Sequence, residues 1–153
     1  MSTEYEQWQN RTVRRPDDVP ARTPLSWQVE KVDIAAERLS NLLLPADFPH
    51  PVERGAADDA LTQLALGESI RRTVEQQRAG DVHQALTLGA TWAQIGAALD
   101  VPPDDARALL RTWAEGQRRP IGLDTEQYTA VLALCELDDD QPAPAASAGG
   151  EES

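Results

Sequence analysis

The sequence predicts an all-α fold of five or six helices, and three observations lead to this prediction. Apolar residues recur at steps of three and four along much of the chain, as they do on one face of an α-helix. Two capping boxes, Thr91–Gln94 and Asp124–Gln127, each mark a helix start. The strict apolar–polar alternation of a half-buried strand is not found. We therefore predict one helical domain over residues 25–137, with disordered termini.

Composition and charge narrow the classes of function. The net charge of −12 argues against a general nucleic-acid coat protein, because such proteins bind by neutralising phosphates. The charge is uneven, however, at +1 over residues 71–120 and −8 over residues 121–153. A single cysteine rules out an internal disulfide framework. With no apolar run near 18 residues and no apolar leader, we predict a cytoplasmic protein without a membrane span.

The first 24 residues are predicted to form a disordered arm. Charged residues and prolines are mixed there without any helical or strand period. Tyr5 and Trp8 nevertheless place two aromatic rings in this polar segment. The alternative is therefore an arm whose aromatics dock on a partner or on the protein itself.

Residues 25–44 are predicted to form the first long helix. Its apolar residues recur at helical spacing and end against a proline, so one face must be buried, in this chain or against a second copy. That face consists of Val29, Val32, Ala36, Leu39 and Leu43.

A second helix is predicted over residues 56–79. Gly80 then acts as a break and Asp81 as a cap for a short helix over residues 81–88. Arg71 and Arg72 lie near the far end of the longer helix. They form either a solvated face or a patch that contacts DNA phosphates.

Residues 89–119 are predicted to form a helix, a tight turn and a second helix. The Thr91 capping box starts the first helix. Pro102 and Pro103 end it, because proline does not fit inside a helix, and Pro103 is well placed as the first residue of the next. The apolar faces of the two helices are predicted to consist of Trp92, Ile95 and Leu99, and of Ala106, Leu109, Leu110 and Trp113.

This stretch resembles the helix-turn-helix of bacterial transcriptional regulators, within a three-helix unit over about residues 81–119. The resemblance rests on a run whose matching positions are Trp92, Ile95, Gly96, Leu99 and Val101. It implies a DNA-binding regulator whose second helix meets the base edges. The chain departs from the pattern at Asp100, where glycine is common, and at residues 104–105, where two carboxylates stand at the helix start that would face DNA.

Arginines supply the predicted DNA-binding residues. At 100° per residue, Arg107, Arg111 and Arg118 lie within about 40° of one another, away from the apolar face. Arginine bonds guanine edges or phosphate, so we predict that Arg107 and Arg111 face the groove. The predicted backbone contacts are Arg71, Arg72, Arg118 and Arg119. The alternative is a salt-bridged solvent face, with pairs Asp104–Arg107 and Arg111–Glu115.

The C-terminal part is predicted to contain one more helix and an acidic tail. The helix, over about residues 124–137, closes the core or forms a dimer surface. Residues 138–153 are acidic and low in complexity, and we predict that they are disordered. This tail is hypothesised to compete with DNA for the arginine stripe, in which case deleting it tightens DNA binding.

Two functions follow from these predictions. The first is a small DNA-binding transcriptional regulator, dimeric through residues 25–44 or 124–137. The second is an acidic protein-interaction module, similar to a regulator or an antitoxin, that uses the helix-turn-helix only as a scaffold. We predict no enzymatic activity and no cofactor, because no nucleotide loop or nucleophile motif is present. His50 and His83 lack the spacing of a metal site, so none is predicted.

Overall fold

The computed structural model describes residues 1–117 and 122–144. This part of the chain is all-α, which confirms the predicted fold class. None of its helices is at once long and apolar enough to cross a membrane. The chain divides into two compact units, residues 1–75 and 76–153, where we predicted one domain over residues 25–137. The α-helices are α1 Glu4–Asn10, α2 Leu25–Ser40, α3 Ala57–Thr87, α4 Trp92–Leu99, α5 Pro103–Gln117 and α6 Thr125–Cys135.

The N-terminal arm differs from its prediction, because the structure orders residues that we expected to be disordered. A capping box between Thr3 and Glu6 begins α1. Trp8 on that helix is 5% exposed, and Val13 beyond it is 1% exposed. The indole N–H of Trp8 donates to the carbonyl oxygen of Trp27 at 3.1 Å. The aromatic rings of the arm thus dock on the protein itself, and their burial offsets the entropy of ordering a polar segment.

The buried face of α2 also differs from the predicted one. Val29 and Leu43 were predicted to be buried, yet they are 41% and 89% exposed. The buried side chains of this helix are Gln28 and Ala35. Gln28 is accommodated because its amide oxygen accepts a hydrogen bond from the Ser69 hydroxyl at 2.7 Å. Val32, also on the predicted face, packs against the apolar cluster of the first unit, so the predicted face is buried in part and shares the interior with a matched polar pair.

α3 runs through the predicted break as one helix. Residues up to 75 belong to the first unit and residues from 76 to the second. Gly80 lies in the interior of the helix, so Asp81 does not cap a new one. A glycine inside a helix costs about 1 kcal/mol relative to alanine. Ala79 and Val82, on either side of it, are buried, and this packing offsets the cost.

The core of the second unit lies where α5 packs against α4 and α6. Trp92, Leu86 and Leu110 are completely buried there. The indole N–H of Trp92 donates to the carbonyl oxygen of Leu134 at 2.8 Å, so α4 and α6 are joined by a hydrogen bond as well as by packing. The cluster consists of Val82, Leu86, Trp92, Ile95, Ala106, Leu110, Ala114, Val131 and Cys135.

Candidate nucleic-acid interface

The start of α4 is the first part of the candidate interface. The capping box predicted there is confirmed: the Thr91 hydroxyl accepts from the backbone N–H of Gln94 at 3.2 Å, and the Gln94 side chain accepts from the backbone N–H of Thr91 at 3.0 Å. A further N–H of the first turn, that of Ala93, donates to the carbonyl oxygen of Asp139 at 2.9 Å. A helix N-terminus carries free donors and a partial positive charge, and here one donor is occupied by the C-terminal segment.

The turn between α4 and α5 brings the two helices into close contact. Asp100 ends α4 with φ of 56°, in the left-handed region where glycine is most common. The Val101 N–H donates to the carbonyl oxygen of Gly96 at 2.9 Å. A Cβ atom on Gly96 would lie 2.7 Å from the Val101 carbonyl oxygen and 3.2 Å from the Pro103 nitrogen. Only glycine fits at this crossing, and Pro103 begins α5 as predicted.

Arg107, predicted to face the DNA groove, is largely enclosed by other groups. Its side chain is 13% exposed. One terminal nitrogen donates to the Asp104 carboxylate at 2.6 Å. The other donates to the carbonyl oxygen of Leu137 at 2.8 Å and to the carboxylate of Asp139. The pair with Asp104 was predicted as the alternative to a DNA contact, and the two contacts to residues 137 and 139 come from beyond α6.

The environment of the Arg107 guanidinium keeps it charged. Its central carbon lies 5.5 Å from the centre of the Trp92 ring, within cation–π range. Burial lowers the pKa of Arg107, but the hydrogen bonds and charges of Asp139 and Asp104 outweigh burial, and the net shift is upward. The site is therefore a permanent cation held between an aromatic ring and two carboxylates.

Arg111 lies one turn further along α5 and is exposed. Its predicted ion pair with Glu115 is not present, and the described residues offer its guanidinium no other hydrogen bond or ion pair. Arg107 and Arg111 thus share a helix but not an environment. Of the two, Arg111 is the one that is open to a ligand.

Arg71 and Arg72 belong to the first unit and are paired along α3. Arg71 contacts Glu68 at 2.8 Å and Glu75 at 2.6 Å, and Arg72 contacts Glu68 at 3.1 Å. Hydrogen bonds from Arg71 and then Arg72 lower the pKa of Glu68 to about 2. These contacts fit the predicted solvated face. The other two predicted backbone contacts, Arg118 and Arg119, lie outside the described residues.

The structure of the C-terminal segment differs from the predicted one. Residues 138–153 were predicted to be a disordered tail, but residues 138–141 form a turn in which the Gln141 N–H donates to the Asp138 carbonyl oxygen at 3.1 Å. Residues 145–153 lie outside the described part. The acidic run at residues 138–140 was the signal in the sequence for a contact between this segment and the predicted arginine stripe, in competition with DNA. The hydrogen bonds to backbone carbonyl oxygens that hold the segment in place could not be predicted from any pattern in the sequence.

Comparisons with known proteins add no relative. The chain matches no family model, no curated protein and no solved structure. In the part of the chain that the structure describes, no three His, Cys, Asp or Glu side chains are grouped so that they could hold a metal ion.

Proposed function

We propose that this chain is a small DNA-binding transcriptional regulator that acts through α4 and α5. The observation that supports the proposal most is the close crossing at Gly96, which holds two helices at a short turn in the segment that resembles a helix-turn-helix. In such units the second helix enters the major groove while the first crosses the backbone. By the same arrangement, α5 is proposed to enter the groove and the start of α4 to contact a phosphate.

Arg111 is the first side chain in the proposed contact. It is exposed on α5 and free of hydrogen bonds and ion pairs to the described residues. Its guanidinium suits either a guanine edge or a phosphate. Arg107 becomes available at one terminal nitrogen only when its partners at residues 137 and 139 leave, while Asp104 on the same helix stays bonded to the other. Arg71, Arg72, Arg118 and Arg119 remain proposed backbone contacts, the first two after exchange of their glutamate partners for phosphate.

A homodimer is part of this proposal. Two copies would place two α5 helices about 34 Å apart, one turn of the duplex. The helix of residues 25–44 or that of residues 124–137 would supply the contact. Val29 and Ile34 on α2, 41% and 44% exposed, are apolar side chains that a second copy could cover. We also propose a cytoplasmic location, where such a regulator meets DNA.

A second function, an acidic protein-interaction module, is favoured by the start of α5. The Asp104 side chain is 90% exposed, and Asp105 beside it is exposed as well. Carboxylates at this place repel phosphate and attract a basic protein surface. In this case α4 and α5 form a scaffold and DNA makes no contact.

Fluorescence anisotropy with labelled genomic DNA fragments, including the region upstream of the gene, separates the two functions. The wild-type protein is titrated at two salt concentrations beside Arg111→Glu and a matched control, Arg22→Glu. Arg22 is exposed, and the described residues give it no ion pair. We expect the first variant to weaken binding about tenfold or more and to flatten the salt dependence, because a phosphate or base contact is lost.

Equal affinities of the two variants would remove Arg111 from the interface. If neither the wild-type protein nor any variant binds DNA at low salt, the regulator proposal fails. Capture of a basic protein that is lost on Asp104→Asn would then support the interaction module.

A further inference from the structure

The segment from Leu137 to Asp139, which we call the acidic clip, covers two cationic features of the second unit at once. Its Leu137 carbonyl oxygen and its Asp139 carboxylate accept hydrogen bonds from Arg107. Its Asp139 carbonyl oxygen accepts the Ala93 N–H in the first turn of α4. The clip thus presents three oxygen acceptors to a guanidinium and a helix N-terminus.

The groups under the clip are the ones that proteins use to hold phosphate. Arginine bonds phosphate oxygens with two parallel N–H donors, and the first turn of a helix offers backbone N–H groups with a favourable dipole. The Trp92 ring supports the guanidinium from one side, 5.5 Å from its central carbon. A carboxylate, a carbonyl oxygen and a phosphate oxygen compete for the same donors.

We propose that Arg107 and the start of α4 form an anion-binding site, which the chain fills with its own acidic clip and from which a DNA phosphate displaces it. This inference rests on the proposed function, since it names the regulation of the same site. With the clip closed, Arg111 is the open arginine in the described part of α5. With the clip released, Arg107 and the Ala93 N–H join it, and the carboxylate of Asp139 no longer repels the duplex.

The anchors of the surrounding helices allow the clip to leave without unfolding the unit. Val131 and Cys135, on the buried side of α6, are each 3% exposed. The Trp92 indole is bonded to Leu134. The residues that make these contacts come before the clip in the sequence. Within the clip, Asp138 and Asp139 are exposed, and the Asp138 carbonyl oxygen accepts from the Gln141 N–H in the turn that follows. Release therefore breaks the hydrogen bonds of the clip and the packing of Leu137 against the core cluster, and leaves the buried contacts of Val131, Cys135 and Trp92 in place.

DNA affinity of Asp139→Ala tests the inference, with Asp140→Ala as its matched control. Both variants remove one carboxylate from neighbouring residues, so general repulsion of DNA falls equally. The Asp140 carboxylate makes no hydrogen bond or ion pair within the described part of the chain. We expect Asp139→Ala to tighten binding about tenfold relative to the control, because an inhibited state lowers apparent affinity by the fraction that is open. Deletion of residues 138–153 should tighten it at least as much.

Amide hydrogen exchange of the same proteins reports on the clip independently of DNA. We expect faster exchange at the Ala93 N–H in Asp139→Ala than in the control, with the Leu110 N–H in the core unchanged. Adding a DNA duplex to Asp139→Ala should slow exchange at the Ala93 N–H again, because phosphate takes the place of the Asp139 carbonyl oxygen.

Each result bears on the inference. Tighter binding by Asp139→Ala alone supports it. Equal binding by both variants, with DNA affinity intact, overturns the clip but keeps the regulator. If no variant binds DNA although amide exchange shows that the clip is open in Asp139→Ala, the proposed regulator function is overturned. The proposed competition between the clip and DNA is then overturned with it.

Discussion

The two units bury different kinds of side chain. The first buries the polar side chains of Gln28 and Ser69, which bond to each other, as well as an apolar cluster of Trp8, Val13, Ala65 and Leu66. The core cluster of the second consists of aliphatic, aromatic and thiol side chains around Trp92, and the tight turn at Gly96 lies beside it. The second unit contains a hydrogen bond from a buried indole to a backbone carbonyl oxygen, whereas the first depends in addition on a bond between two buried polar side chains, so its packing is more sensitive to the direction of hydrogen bonds. The difference predicts which substitutions each unit tolerates.

Gly96→Ala should be the most damaging of the changes predicted here. The new Cβ would meet the backbone at Val101 and Pro103, which no side-chain rotation can relieve. We expect a loss of about 2–3 kcal/mol in the free energy of unfolding, as for other overpacked sites. Urea unfolding followed by tryptophan fluorescence measures it.

Gly67→Ala in the first unit is the matched control, because a Cβ there has open space. It should stabilise α3 by about 0.5–1 kcal/mol, the helix propensity of alanine over glycine. Equal effects of the two variants would contradict the close crossing of α4 and α5.

Gln28→Leu tests the polar part of the first unit. The substitution leaves the buried Ser69 hydroxyl without its acceptor, and the Thr23 carbonyl oxygen loses a donor at 3.2 Å. We expect a loss of about 2 kcal/mol, the usual cost of an unsatisfied buried group. The double variant Gln28→Leu, Ser69→Ala should recover part of that loss, since both partners are then apolar. A double variant no more stable than the single one would show that volume, not hydrogen bonding, decides this site.

The smallest predicted effect concerns the exposed ion pairs of α3. Hydrogen bonds from Arg71 and Arg72 hold the pKa of Glu68 at about 2, below its unfolded value of 4.5. Because the folded pKa is the lower one, the pairing stabilises the fold fully above pH 4.5. This stabilisation is lost as the pH falls from 4.5 towards 2. NMR titration of the Glu68 carboxyl carbon should show this midpoint, and Arg71→Gln should raise it. An unchanged midpoint in Arg71→Gln would assign the shift to Arg72 alone.

Local patterns were the more successful part of the prediction from sequence. The capping boxes at Thr91 and Asp124 and the start of α5 at Pro103 are present as expected, because each depends on residues within one helical turn. The predicted break at Gly80 is absent, because a glycine's cost of about 1 kcal/mol is smaller than the gain from burying its neighbours. Among the predicted DNA contacts, Arg107 and Arg111 could not be told apart from sequence, since their partners differ only in three dimensions.

Helix periodicity, caps and prolines determined the all-α class and the starts of α4, α5 and α6, because these features act over three or four residues. Contacts between distant residues decided the rest. Trp8 bonds to Trp27, 19 residues away, and Arg107 is enclosed by Asp139, 32 residues away. A hydrogen bond at such separation depends on where two helices place their ends, and no run of neighbouring residues carries that information.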